Sequence, residues 1–328
     1  MKVQTASGAI DVDRLGATLM HEHLVIAFEG WASDVNASAT DPKALVARCV
    51  ERVEELKAEG FTSLLDPCPI DLGRDVELYA EVAARTGFNI LFATGLYHEH
   101  FAAPYWRFKL GIEPDGAKYV AEMYVRELSR GVGSSGLKPA VIKLAVGADP
   151  SSAFERTLVE AAAIASNETS TPILTHTEGV HGDTMLARLG ELGVPAHRVI
   201  VGHCCNSTDR AYHARIVDSG AYIGFDRFGM TAIQSDENRT DCLQALLEAG
   251  RAESVIVSHD CVFCQKGAML APAKLTRDPR HFSRDIAPIL RARGVPQSTL
   301  DSIFRDNPRR YFCDEAPGLR NPGKCGNP

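Results

Sequence analysis

Two histidines flank a glutamate just after the short apolar run 17–20, where His21, Glu22 and His23 follow one another. In an extended strand successive side chains point to opposite faces. His21 and His23 would therefore aim two imidazoles at one point, while Glu22 points away. A single His-X-His is a weak metal signature, because such pairs also occur for packing alone. The pattern gains weight only from similar residues elsewhere in the chain.

Other residues with nitrogen or oxygen donors end further apolar runs. His176, His203 and Asp260 each close a run rich in Val, Ile and Leu, and Lys143 lies inside the apolar run 140–146. Such donors suit zinc or a similar first-row ion. Each residue alone is explained well enough as a satisfied polar group of the core or of a loop. Five separate runs that each carry one predict a common metal site.

The chemical state of Lys143 determines whether the site holds one metal ion or two. A buried lysine costs several kcal/mol unless its amine is paired, neutral or modified. In one interpretation the amine reaches out of the strand end and pairs with a carboxylate. In the other, carbon dioxide adds to the neutral amine and the resulting N6-carboxylysine bridges two cations. A free ammonium has no lone pair for a metal and would repel it.

The runs recur with helical segments between them, at about thirty to forty residues per unit. The predicted strands are 17–23, 62–68, 89–96, 140–146, 172–176, 199–204, 221–226 and 255–260. The predicted helices are 42–59, 73–86, 115–131, 152–167, 182–192, 208–218, 238–249, 282–293 and 297–305.

Eight strand–helix units predict an α/β fold, a (β/α)8 TIM barrel, and no linker divides the chain, so residues 1–328 are expected to form one domain. The strands of such a barrel all point the same way, and residues at their ends converge on its C-terminal face. The six candidate ligands therefore meet in one pocket. Composition favours a flexible end for the Gly- and Pro-containing tail 314–328 over a strap across the barrel.

Composition excludes several other classes of protein. A hydrophobic content of 45% with 23% charged residues fits a globular protein with a large core. The net charge of −7 and the scattered basic residues show no footprint for nucleic acid. The absence of an apolar signal core and of a membrane-length apolar run predicts a cytoplasmic location without membrane contact.

The nine cysteines are an odd number, and several lie within apolar segments. This distribution predicts reduced thiols rather than a disulfide framework. Cys261 and Cys264 form a Cys-X-X-Cys without a second pair at zinc-finger spacing. They are interpreted as reduced loop residues that line the pocket.

These residues carry a resemblance to a known family. The segments are His21-Glu22-His23, Lys143 in its run, His176-Thr177-Glu178, Gly202-His203, Ser258-His259-Asp260, Asp71–Asp75 and Asp306–Phe312. Together they resemble the phosphotriesterase family of the amidohydrolase superfamily, almost from end to end.

The resemblance implies a binuclear metal centre and a homodimer. In it, His21, His23 and Asp260 hold the buried ion, His176 and His203 hold the exposed ion, and carboxylated Lys143 bridges the two. Zinc is the expected divalent metal, although such ligands also accept cobalt, manganese or iron.

Two segments, Gly95-Leu96-Tyr97 and 223–229, resemble the lactonase branch of the family. This likeness implies that Tyr97 lies over the metals and that Arg227 contacts the substrate or supports its loop; the alternative for Tyr97 is a packing role. The family commonly has an aspartate three residues after the strand-six histidine, but here Asn206 stands there and cannot accept a proton. The proton exit route is therefore left open, and Asp209 is expected to cap the next helix.

The sequence thus predicts a hydrolase for lactones or related esters with promiscuous phosphotriesterase activity and a metal-bridging hydroxide as nucleophile. Its catalytic residues are Asp260, Lys143, Tyr97 and Arg227. The alternative is a carboxylesterase, carbamate or amide hydrolase on the same scaffold, the choice being set by lid residues such as Phe263, Cys264 and Met269. A non-catalytic binding protein is a remote alternative, since fold alone does not prove function.

Overall fold

A computed structural model describes residues 1–37, 40–147, 152–267 and 277–318. Its strands are β1 (Lys2–Thr5), β2 (Gly8–Asp11), β3 (Thr18–Leu19), β4 (His23–Ile26), β5 (Ser63–Asp66), β6 (Asn89–Leu96), β7 (Val141–Ala145), β8 (Ile173–His176), β9 (Val199–Val201), β10 (Tyr222–Phe225), β11 (Val255–Val257) and β12 (Val262–Gln265).

The helices surround these strands. They are α1 (Pro42–Ala58), α2 (Val76–Thr86), α3 (Pro104–Ile112), α4 (Gly116–Arg130), α5 (Ala153–Thr169), α6 (Gly182–Glu191), α7 (Arg210–Asp218), α8 (Asp236–Glu248), α9 (Ala287–Ala292) and α10 (Gln297–Phe312). A π-helical turn, Phe282–Ile286, leads directly into α9.

Eight parallel strands form the main sheet, in the order β3-β5-β6-β7-β8-β9-β10-β11. The first and last strands of this sheet continue into β4 and β12, which pair with each other in parallel. Backbone bonds from Asp260 to His21 (3.0 Å) and from His23 to Cys261 (2.8 Å) join the same two strand ends. This topology confirms the predicted (β/α)8 barrel.

Alternation along β7 shows how the barrel aims its side chains. Ile142 and Leu144 pack in the layer between sheet and helices, whereas Val141 packs inside the barrel with Leu174 and Ile200. Successive side chains of a strand face opposite sides. Lys143 therefore shares the inner side with Val141.

The structure differs from the predicted elements in four places. The predicted strand 17–23 is broken, because β3 ends at Leu19 and Glu22 donates its amide to Leu65 before β4 begins. The hairpin β1–β2, the strand β12 and the helix α3 were not predicted. Only Trp106 of α3 is buried, and most of the other large apolar side chains of this helix are exposed rather than packed on the barrel.

Seven cysteines are free and buried, as the sequence predicted, but Cys313 is disulfide-bonded. The described part of the tail is also fixed, since the Asp314 carboxylate accepts bonds from Arg198 at 2.6 and 2.9 Å. Residues 319–328 lie outside the described part of the chain.

Among the helices that the structure describes, none has both the length and the apolarity to cross a bilayer.

Candidate metal centre

Two strand ends supply the first group of donors. His21 lies between β3 and β4, His23 opens β4, and Asp260 follows β11. Asp260 Oδ1 lies 3.3 Å from His23 Nε2 and 3.7 Å from His21 Nε2. Two imidazole nitrogens and one carboxylate oxygen thus converge, and this donor set suits a first-row divalent ion.

A second group adjoins the first. His176 closes β8, and its Nδ1 lies 3.0 Å from Nε2 of His203, which follows β9. The same His203 nitrogen lies 4.0 Å from Asp260 Oδ2. The Asp260 carboxylate therefore lies between the two groups, with one oxygen toward each.

Lys143 enters this cluster from β7. Its side chain is buried, and Nζ lies 3.3 Å from His21 Nε2. Within the described residues no carboxylate oxygen lies within 4.0 Å of Nζ, which argues against a lysine that leaves the strand end for an ion pair. Burial lowers the pKa of Lys143 to about 8, so roughly a tenth of the amine is neutral at pH 7.

The second ring nitrogen of each histidine is held by a carboxylate. Asp226 holds two of them, its Oδ2 lying 2.8 Å from His21 Nδ1 and its Oδ1 3.0 Å from His203 Nδ1. The other two contacts are Asp66 Oδ1 to His23 Nδ1 at 3.2 Å and Glu178 Oε1 to His176 Nε2 at 3.0 Å.

Carboxylate–histidine pairs of this kind fix the tautomer and the orientation of metal-ligating imidazoles. All four rings leave their remaining nitrogen facing the centre, so the residues present fit a pair of divalent ions. The sequence analysis did not assign this role to Asp66, Asp226 or Glu178. Asp66 and Asp226 also end apolar strands, and the rule that found the ligands would have found them too.

Burial sets the charge of the cluster. It lowers the pKa of His176 to about 3 and that of His203 well below its usual value, so both imidazoles are neutral and offer a lone pair. Burial alone would raise the pKa of Asp260, but its hydrogen bond with His23 and the nearby His21 and Arg227 hold it well below the usual value. His176 and His203 are therefore neutral donors beside an ionised carboxylate. Burial alone would lower the pKa of His23, but its hydrogen bonds with Asp260 and Asp66 raise it well above the usual value.

Two of these residues adopt a left-handed backbone, with φ of 60° at His203 and 52° at Asp260. For residues other than glycine this conformation costs about 1–3 kcal/mol each. The His203 amide donates to Asp226 Oδ1 at 2.9 Å, and the Asp260 amide donates to the His21 carbonyl. Backbone hydrogen bonds thus hold both strained turns, and the Asp226 carboxylate that accepts one of them also orients the His203 imidazole.

Glu22 points away from its flanking histidines, as the strand pattern predicted. Its Oε1 lies 2.8 Å from His259 Nδ1 and accepts the His259 amide at 2.9 Å, while Oε2 accepts the amide of Cys261 at 2.9 Å. This fully buried link ties the residues around Asp260 to the segment that carries His21 and His23.

The mouth of the centre is formed by Tyr97, His98, Glu178 and Arg227. The Tyr97 ring lies 5.3 Å from that of His176, with the planes at 70°. Arg227 Nε donates to Asp260 Oδ2 at 2.9 Å, and its Nη1 lies 3.7 Å from Glu178 Oε2. His98, which sequence analysis missed, lies against His176 and Glu178.

Other predicted positions lie away from the centre. Phe263 and Cys264 belong to β12 and pack in an apolar cluster with Leu24 and Cys49, so the prediction that they are lid residues is wrong. Cys261 is also buried in that cluster, and it does not line the mouth. Met269 lies outside the described residues. Asp209 caps α7 by accepting the amide of Ala211, as predicted.

Comparisons with known proteins agree with this geometry. The profile of the phosphotriesterase family matches residues 1–312. The phosphotriesterase homology protein of Mycobacterium tuberculosis is 34% identical over 323 residues, covering 95% of this chain and 97% of its own.

Solved structures agree as well. The organophosphorus hydrolase from Deinococcus radiodurans is 36% identical with a TM-score of 0.90, covering 95% of this chain and 97% of its own. A mutant of a phosphotriesterase-like lactonase from the same organism is 35% identical with a TM-score of 0.89, covering 94% and 99%. With a fold, a donor set and a family profile that all agree, this chain belongs to the phosphotriesterase family of binuclear metal hydrolases.

Proposed function

We propose that this protein hydrolyses lactones or related esters and, more slowly, phosphotriesters. The observation that carries the proposal is the set of four buried histidines, each held by a carboxylate and all directed at the space around Asp260 and Lys143. The likeness to a protein described as a lactonase supports the choice of substrate.

The cofactors in this proposal are two divalent ions, with zinc first and cobalt, manganese or iron as alternatives. The residues that would hold them are His21, His23, His176, His203, Asp260 and a carboxylated Lys143. When bound, such ions polarise a carbonyl or phosphoryl oxygen and make water nucleophilic at neutral pH.

The remaining steps fall to the residues at the mouth. Burial raises the pKa of Tyr97 far above neutrality, so its hydroxyl stays protonated and can donate to an oxygen that gains negative charge. The guanidinium of Arg227 supplies a fixed positive charge beside it. Asp260 Oδ2 is ionised at neutral pH and is the group placed to accept a proton from the attacking water.

Elemental analysis together with a substrate panel tests the proposal. We expect about two metal ions per chain and the highest kcat/KM on lactones, followed by aryl esters and then phosphotriesters. Preferred cleavage of amides or carbamates would favour the alternative hydrolase. A metal-loaded protein without turnover on any of these substrates would favour a binding protein.

Tyr97→Phe is expected to lower lactone turnover by about 100- to 1,000-fold, the usual effect of losing one donor to an oxyanion. Phosphotriester turnover should fall less, because the proposed donation serves a carbonyl oxygen. Steady-state kinetics on one lactone and one phosphotriester measure the difference. Tyr119→Phe, on the outer helix α4, is the matched control, and equal losses on both substrates would contradict the assigned role.

The expected homodimer also stays a proposal, and an exposed apolar stripe supports it. Phe101, Tyr105, Phe108 and Ile112 are spaced by four, three and four residues along α3 and the turn before it, and are 47–69% exposed. A contiguous apolar patch of this kind commonly marks a protein interface. We propose that a second copy of the chain covers this apolar stripe.

The cytoplasmic location stays a prediction of the sequence.

Light scattering coupled to size-exclusion chromatography measures the oligomeric state. The unmodified chain is expected at twice the 35.5 kDa monomer mass, and Phe108→Asp at the monomer mass. Ile233→Asp alters an isoleucine that is 51% exposed elsewhere and should leave the mass unchanged. A monomeric unmodified protein, or a dimeric Phe108→Asp, would show that this stripe does not join two copies.

A further inference from the structure

Two thiols that are 215 residues apart in the sequence meet behind the barrel wall. Cys49 lies in α1 and Cys264 in β12, and their Sγ atoms are 3.8 Å apart. Both are free cysteines. This pair lies outside the groups of residues that form the metal centre.

The two thiols differ in their access to solvent. Cys264 is 7% exposed and lines a surface cavity of about 330 Å³, whereas Cys49 is completely buried behind it. The other lining residues are Thr40, Asp41, Ala44, Leu45, Arg48, Gln265 and Gly267. A small solute that enters this cavity therefore reaches Cys264 first.

The surroundings also activate Cys264, the thiol of the pair that lines the cavity. The hydrogen bond from Cys49 lowers the pKa of Cys264, and Arg48 and Arg52 act in the same direction, against the effect of burial. The nearby Asp41 carboxylate accepts the Lys43 amide at the start of α1. A lowered pKa raises the fraction of thiolate, which is the nucleophilic form of cysteine.

We propose that Cys264 and Cys49 form a peroxide-sensitive dithiol site, in which Cys264 is oxidised first and Cys49 then closes a disulfide. The site is separate from the metal centre, and the proposal does not rest on the proposed function.

The reaction needs only a hydroperoxide as oxidant. The Cys264 thiol attacks one peroxide oxygen, the O–O bond breaks, and the products are a sulfenic acid and one water. The Cys49 thiol then attacks the Cys264 sulfur, the S–O bond breaks, and a second water leaves with the Cys49 proton. Two thiols and one hydrogen peroxide thus give one disulfide and two waters.

The geometry allows this closure. A disulfide has an S–S length of about 2.05 Å, so the two Sγ atoms must approach by somewhat less than about 2 Å. A change of side-chain rotamer moves a cysteine sulfur by that much without moving the backbone. Because β12 follows Asp260 and pairs with β4, the new bond would tether this part of the barrel to α1.

Peptide mapping of the full-length protein tests the site. The protein is treated with one to five equivalents of hydrogen peroxide, alkylated with N-ethylmaleimide during denaturation, and digested with trypsin. We expect residues 49–52 joined to residues 252–266, at the summed mass less two hydrogen atoms plus one N-ethylmaleimide on Cys261, and dithiothreitol should separate them. Fragment ions, or the Cys261→Ser variant, distinguish Cys264 from Cys261 in the second peptide.

Variants assign the two roles. Cys264→Ser should abolish the cross-link, and Cys49→Ser should leave a sulfenic acid at Cys264 that dimedone traps. Cys242→Ser removes another buried cysteine and should cross-link like the unmodified protein. The proposal is overturned if Cys264 stays fully alkylated at five equivalents, or if Cys68, Cys205 or Cys242 is oxidised before it.

Discussion

Replacing Lys143 by alanine is expected to lower turnover by roughly a thousandfold, in line with the several kcal/mol that a metal centre contributes to a hydrolytic transition state. The amine lies among His21 and its neighbours, with no carboxylate of the described residues at ion-pair distance. We propose that it becomes a bridging anion by carboxylation. Alanine removes that anion and leaves a space about as large as the side chain that is lost.

Chemical rescue distinguishes this role from simple packing. Acetate or propionate, added with excess zinc, should restore part of the lactone turnover of Lys143→Ala by placing a carboxylate in that space. Lys143→Met fills the same space with an uncharged side chain and should stay inactive under those conditions. Carboxylation would be contradicted if the added acid rescued both variants or rescued neither. A crystal of the metal-loaded protein with a plain amine at Lys143 would also count against it.

The second large effect is expected for His176→Ala, which removes one donor nitrogen from the pair with His203. We expect the loss of at least one metal ion per chain and of most activity. Losing a residue that merely orients a metal ligand already costs about 10- to 100-fold, so losing a ligand should cost more. Elemental analysis and kinetics of the same preparation measure both.

A second buried histidine provides the control. His213 packs beside Phe225, and its Nε2 lies 2.9 Å from the Cys204 carbonyl, outside the metal centre. His213→Ala opens a comparable cavity but should keep two ions per chain. Circular dichroism of both variants should show an intact barrel. Full metal occupancy with normal turnover in His176→Ala would remove His176 from the ligand set.

The barrel could be predicted because each strand is a short apolar run and several helices have a start signal. The run 172–176 became β8, and Asp209 became the cap of α7. Elements that depend on distant partners were missed. β4 and β12 exist because the two ends of the barrel meet, and no local pattern shows which distant strand a segment such as 262–265 will join.

The same distinction holds at the candidate centre. The positions of His21, His23, His176, His203 and Asp260 follow from a rule about strand ends, and the structure brings them together. Their carboxylate partners are set by contacts across the barrel, such as Asp66 with His23 and Asp226 with His203. Cys264 was assigned to a lid because its place beside Cys49 depends on a strand pairing that the sequence does not encode locally.

Asp226 belongs to both halves of the centre at once. One of its oxygens holds the imidazole of His21 and the other holds that of His203. An ion bound by either imidazole therefore also fixes the carboxylate that orients the other, and the two binding events share a coupling free energy. Such coupling is reciprocal by necessity. The two sites are thus expected to be coupled, so that loading or emptying one site changes the metal affinity of the other.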